Sequence, residues 1–98
     1  MIRHLVLLRF TDDSTEATRT ALVDAFTSLR TEIPGLVALE SGTNMSPEGL
    51  AKGFTHCFML SFASETARDA YLPHPAHQAF VAQLKPALAD VLVFDYPI

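Results

Sequence analysis

The spacing of apolar positions changes along the chain, and each change marks an element. From Ile2 to Phe10 the residues are mostly Leu and Val, with Arg3 and Arg9 near the ends, the composition of a strand buried largely on both faces. Thr11-Asp12-Asp13-Ser14 ends it. Asp13 and Glu16 then stand three apart as in a capping box, and Ala17, Ala21, Leu22, Ala25, Phe26 and Leu29 recur at helical spacing towards Glu32. Pro34-Gly35 stops that helix. Leu36 to Asn44 alternates and predicts a second, more exposed strand, and Met45 to Lys52, rich in turn residues, predicts a loop. Phe54 to Phe62 is the most apolar strand. Ser64 opens a helix at Glu65 that runs to about Tyr71. Pro73 and Pro75 interrupt it before a further helical run carrying Phe80, Val81 and Leu84 up to Pro86. Asp90 to Tyr96 predicts the last strand.

The order β-α-β-β-α-β is that of an α+β ferredoxin-like sandwich, in which the helices cover one face of a four-stranded antiparallel sheet. That order leaves the other face bare. Yet the first strand is apolar at Ile2, Val6, Leu8 and Phe10 on one side and at Leu5 and Leu7 on the other. The third puts Phe54, Phe58, Leu60 and Phe62 opposite Cys57 and Met59. Helices cannot bury both sides, so the pattern predicts a homodimer in which two sheets meet face to face.

Composition agrees with this picture and removes several classes of function. At 98 residues, 49% apolar and 18% charged, the chain is expected to form one globular domain over residues 1–98. The seven basic residues are scattered and the net charge is −4, so no nucleic-acid footprint is present. No apolar run approaches the roughly 20 residues of a bilayer span, and no signal segment precedes the first strand, so a cytoplasmic protein without a membrane partner is expected. The lone Cys57 reads as a small buried hydrophobe.

Candidate chemistry rests on four histidines. His4 and His56 fall on even positions of two strands that are neighbours in a ferredoxin-like order, so both should point the same way. The segment Tyr71-Leu-Pro-His-Pro-Ala-His77 is the most structured local motif. Prolines follow Leu72 and His74 and predict both as extended, and Pro75 suits the first turn of the next helix. His77 then sits in that first turn, where the helix dipole favours an uncharged ring able to take up a proton. The alternative reading makes these rings hydrogen-bonded core groups or a solvated kink. His74 and His77 have no cysteine or carboxylate nearby to complete a metal set, and no phosphate loop or nucleophile motif occurs. No metal or cofactor is expected.

Four segments carry a family resemblance: Arg3-His4-Leu5-Val6-Leu7-Leu8-Arg9-Phe10, Gly53-Phe54-Thr55-His56, the Tyr71 to His77 motif, and Phe94-Asp95-Tyr96. Together, over nearly the whole chain, they resemble the stress-responsive dimeric α/β barrel (Dabb) family. The resemblance implies a dimer whose two sheets close into a barrel with helices outside. Through the family's plant polyketide cyclase it also implies an intramolecular aldol, lyase-type reaction in a pocket between sheet and helices. His77 would then be the acid/base histidine, Tyr71 its partner, and His4 and His56 pocket histidines. The apolar lining would come from Val6, Leu8 and Phe58 on the strands, and from Leu22, Val23 and Phe26 on the first helix. Leu72, Phe80 and Leu88 would complete it. A small apolar or polyketide-like ligand is implied. Two alternatives share this architecture: a non-catalytic small-ligand-binding or structural stress-associated dimer, and a cofactor-free barrel monooxygenase. A pocket of roughly 300 Å³ or more with a free imidazole nitrogen on His77 would favour catalysis.

Overall fold

A computed structural model describes residues 1–98. Its elements are β1 (Ile2–Phe10), α1 (Glu16–Ser28), β2 (Leu36–Thr43), β3 (His56–Phe62), α2 (Glu65–Tyr71), α3 (Pro75–Leu84) and β4 (Leu88–Pro97), with single 3₁₀ turns at 29–31 and 85–87. The strands form one antiparallel sheet in the order β2-β3-β1-β4. This is the ferredoxin-like α+β sandwich that the element order predicts.

The even positions of β1 face the helices. His4, Val6, Leu8 and Phe10 are buried there, beside Phe58, Leu60 and Phe62 of β3, and they meet Leu22, Phe26, Tyr71, Phe80 and Leu84 from the helices. Odd positions form the uncovered face. Leu5 pairs with Met59 and Phe94, and Leu7 with Cys57 and Leu92, while Phe94 stays 61% exposed. The chain therefore presents the bare apolar sheet face that its two-sided strands require. No helix is long and apolar enough to cross a membrane.

Local differences from the sequence reading have identifiable causes. The cap of α1 is Thr15, not Asp13: Thr15 is extended and its Oγ1 accepts from the Thr18 amide at 3.1 Å. The helix gives way to the 3₁₀ turn at Leu29 instead of running on to Glu32. The third strand begins at His56, because Phe54 N–H closes a turn onto the Ala51 carbonyl. The last strand starts earlier than expected, at Leu88, directly after the turn at 85–87. Leu72 is helical (φ −57°, ψ −46°) despite the proline after it, since the His74 amide bonds back to the Tyr71 carbonyl and holds the chain in a turn. His74 is extended, as predicted. Gly35 needs its missing side chain twice over: its φ is +81°, and a Cβ would lie 2.6 Å from that of Ala67 on α2.

Candidate functional site

β1, β4, the end of α2 and the start of α3 build one site between sheet and helices. His4 is 5% exposed, and across the ladder it faces Asp95 on β4. Its Nδ1–H donates to Asp95 Oδ1 at 2.6 Å, and Arg68 of α2 donates to the other carboxylate oxygen at 2.6 Å. Burial pushes the His4 imidazole below its ordinary value, against the pull of the Asp95 carboxylate, which favours the charged ring. The neutral ring that results carries its lone pair on Nε2, which has no partner in the chain.

Tyr71 ends α2 with 1% of its surface exposed, and its ring lies edge-on to His4 at 5.9 Å. Burial raises its phenol well above the usual range, so the group remains a hydrogen-bond donor. Nothing in the chain accepts that hydrogen bond, yet the hydroxyl is not sealed off. The His77 ring lies 4.1 Å from the Tyr71 ring, centroid to centroid.

Why His77 takes this position follows from the local chain. His74 caps α3, its Nδ1 accepting the Ala76 amide at 3.0 Å, and Pro75 opens the first turn. The helical Leu72 then offers its carbonyl to two donors, His77 Nδ1–H at 2.9 Å and Gln78 Nε2 at 2.9 Å. A carbonyl only accepts, so Nδ1 holds the proton and the neutral ring has its lone pair on Nε2. Chemically, the arrangement offers one phenolic donor and two imidazole acceptors in apolar surroundings.

These groups line a cavity of about 210 Å³, smaller than the roughly 300 Å³ expected of a catalytic pocket, while the unpartnered His77 Nε2 meets the other half of that expectation. It brings together His4, Val6, Phe26, Tyr71, Leu72, His77, Phe80 and Leu88 of the residues expected from sequence. His56, Val23 and Phe58 lie elsewhere, along a groove of about 570 Å³ between α1 and the β2–β3 edge that also carries Glu16 and Arg19. His56 shares the helix-side face with His4, but it pairs with Leu8, four residues and roughly 13 Å further along the sheet. Burial, and then Arg19, push the His56 imidazole down. Its Nδ1 shares a hydrogen bond with Thr55 Oγ1. Leu8 and Leu22 line neither space; they are core, 1% and 6% exposed. No cluster of three or more His, Cys, Asp or Glu side chains gathers in the chain.

Sequence reasoning missed Asp95, Arg68, Val81, Leu84, Val91 and Val93 as site residues. A signal existed for Asp95, a lone carboxylate in the apolar run 91–96 with the same parity as Val91 and Val93. For Arg68 there was none, because its role depends on how α2 lies over β4.

Comparison with known proteins completes the picture. The family profile described as "Stress responsive A/B Barrel Domain" matches residues 2–98. Olivetolic acid cyclase of Cannabis sativa is 31% identical over 96 residues, 97% of this chain and 94% of that protein. The crystal structure of At3g17210 from Arabidopsis thaliana superposes with a TM-score of 0.94 at 32% identity, covering 100% of this chain and 95% of that one. A protein from Thermobifida fusca, described as dimeric, ferredoxin-like and of unknown function, gives 0.82 at 30% identity over 99% and 90% of the two chains. With the profile spanning all but the first residue, the chain belongs to the stress responsive A/B barrel domain family.

Proposed function

We propose that the protein is a homodimer that binds a small enolisable carbonyl compound and performs lyase- or cyclase-type acid/base chemistry on it. One observation carries this reading: the Tyr71 hydroxyl, His77 Nε2 and His4 Nε2, all without partners in the chain, line a single apolar cavity. Three polar groups left free by the chain on the residues of one apolar cavity suit a ligand that carries matching polar atoms.

In the proposed step, His77 Nε2 takes a proton from the carbon α to a carbonyl. The electron pair of that C–H bond moves to the carbonyl oxygen, where Tyr71 O–H donates to the enolate as charge develops. The enolate carbon then attacks a second carbonyl of the same molecule, forming a carbon–carbon bond, and the new alkoxide recovers the proton from His77. The cyclase relative, 31% identical, supports a ring closure of this kind on a polyketide-like compound.

The dimer is part of the proposal. Leu5, Leu7, Met59, Leu92 and Phe94 form the uncovered sheet face. On it Arg3 Nε is buried with no acceptor in the chain, which a facing copy could supply. The dimeric description of the Thermobifida fusca protein supports this.

Thermal shift with a panel of small ketones, β-diketones and phenols tests the site, since a ligand of the folded form raises Tm by mass action. The expected result is a shift in the wild type that disappears in His77→Ala and shrinks in Tyr71→Phe. No shift with any compound contradicts the reading. Binding without conversion leaves the non-catalytic ligand binder in its place, and oxygen uptake with a phenol would favour the monooxygenase.

A further inference from the structure

The space between sheet and helices is not continuous. Phe26 of α1 lines the 210 Å³ cavity, and Phe58 of β3 lines the larger groove beyond. The two rings are stacked at 4.1 Å with only 12° between their planes, and Phe80 closes onto Phe26 at 4.7 Å. Phe26 and Phe58 are 2% and 1% exposed, and neither space is lined by both rings. They form a wall, with one ring facing each compartment.

Volume and chemistry then define what fits on the His77 side. A dry cavity of about 150 Å³ accommodates benzene, so 210 Å³ holds a little more than one ring's bulk. No Lys, Arg, Asp or Glu lines it, and the Arg68 guanidinium is engaged by Asp95, so nothing there favours a charged ligand. The enol form of a β-dicarbonyl offers one O–H donor and one carbonyl acceptor. Tyr71 O–H complements the carbonyl of either form, His77 Nε2 the acidic C–H between the two carbonyls of the diketone, and His4 Nε2 the hydroxyl of the enol that results.

Resting on the function proposed above, we infer that the Phe26–Phe58 stack is a specificity wall restricting the ligand to an uncharged, compact β-dicarbonyl compound. Acyl tails longer than a few carbons meet the wall and find no further apolar space inward. They run instead through the mouth past Leu72, Val91 and Val93, which are 43%, 43% and 54% exposed, and gain little there.

The test is a homologous series, 2,4-pentanedione, 2,4-heptanedione and 2,4-nonanedione, titrated by NMR into wild type, Phe58→Val and Phe58→Leu. Each methylene that enters an apolar space should tighten binding about fourfold. In the wild type the gain should stop by the heptanedione. In Phe58→Val, which removes the ring behind Phe26 and lets Phe26 swing towards the groove, it should continue to the nonanedione, with Phe58→Leu intermediate. A wild-type affinity that climbs steadily through the nonanedione overturns the wall and leaves the functional reading intact. So does a folded Phe58→Val that plateaus where the wild type does. Failure of even 2,4-pentanedione to bind any of the proteins defeats the functional reading and the wall with it. If both substitutions unfold the protein, the wild-type plateau or climb alone decides.

Discussion

Among single residues, some groups hold the fold and others are left free for a ligand. Tyr71→Phe removes a hydroxyl with no partner in the chain, so unfolding free energy should change by less than about 1 kcal/mol while affinity for a carbonyl ligand falls about fivefold; denaturant titration beside ligand titration checks both. His4 behaves differently. Its imidazole is held below the unfolded value of 6.5, so the unfolded chain binds the proton first and stability is lost as pH falls below about 6.5. His56 acts in the same direction. Tm should therefore drop between pH 7.5 and 5, and the drop should shrink in His4→Gln; an unchanged pH dependence in that variant contradicts the assignment. Alternation within strands was enough to place His4 and His56 on one face. It could not separate them, because the distance between them depends on which residue of β1 each β3 residue faces, and register is a property of pairing.

Elements carry the site through their ends. His77 points into the cavity because α3 starts where it does, and α3 starts there because His74 caps it. His74→Ala should cost about 1 kcal/mol and weaken ligand binding, whereas His74→Asn, which can also cap, should restore most of both; chemical denaturation and ligand titration of the pair decide this. Gly35→Ala should cost more, upwards of about 1 kcal/mol, because the left-handed backbone and the Ala67 contact both oppose a side chain. The element order, the proline stop after α1 and the Pro75 start of α3 were legible from local chemistry. The Thr15 cap and the helical Leu72 were not, since each reflects a choice between neighbouring local solutions. At Leu72 the turn back to Tyr71 and the bonds to His77 and Gln78 outweigh the preference set by the following proline.

For the whole molecule, the bare sheet face and the cavity under the helices make two independent claims. Light scattering should give twice the 10.7 kDa chain mass, and Phe94→Glu, which places a charge on the uncovered face, should return it to the monomer value. A wild type that runs at 10.7 kDa refutes the dimer without touching the cavity. Two-sided strands made this face legible in the sequence, because four strands and three short helices cannot bury that many Leu, Val and Phe side chains. The partition of the interior by Phe26 and Phe58 was not legible, since both read simply as core. The acid/base claim is tested most directly by the initial rate of deuterium incorporation at the central carbon of 2,4-pentanedione in D₂O, followed by NMR with wild type and His77→Ala. Exchange above the buffer rate is expected in the wild type, with a loss of about 100-fold or more in the variant. Equal exchange in both proteins, or none above buffer in the wild type, contradicts it.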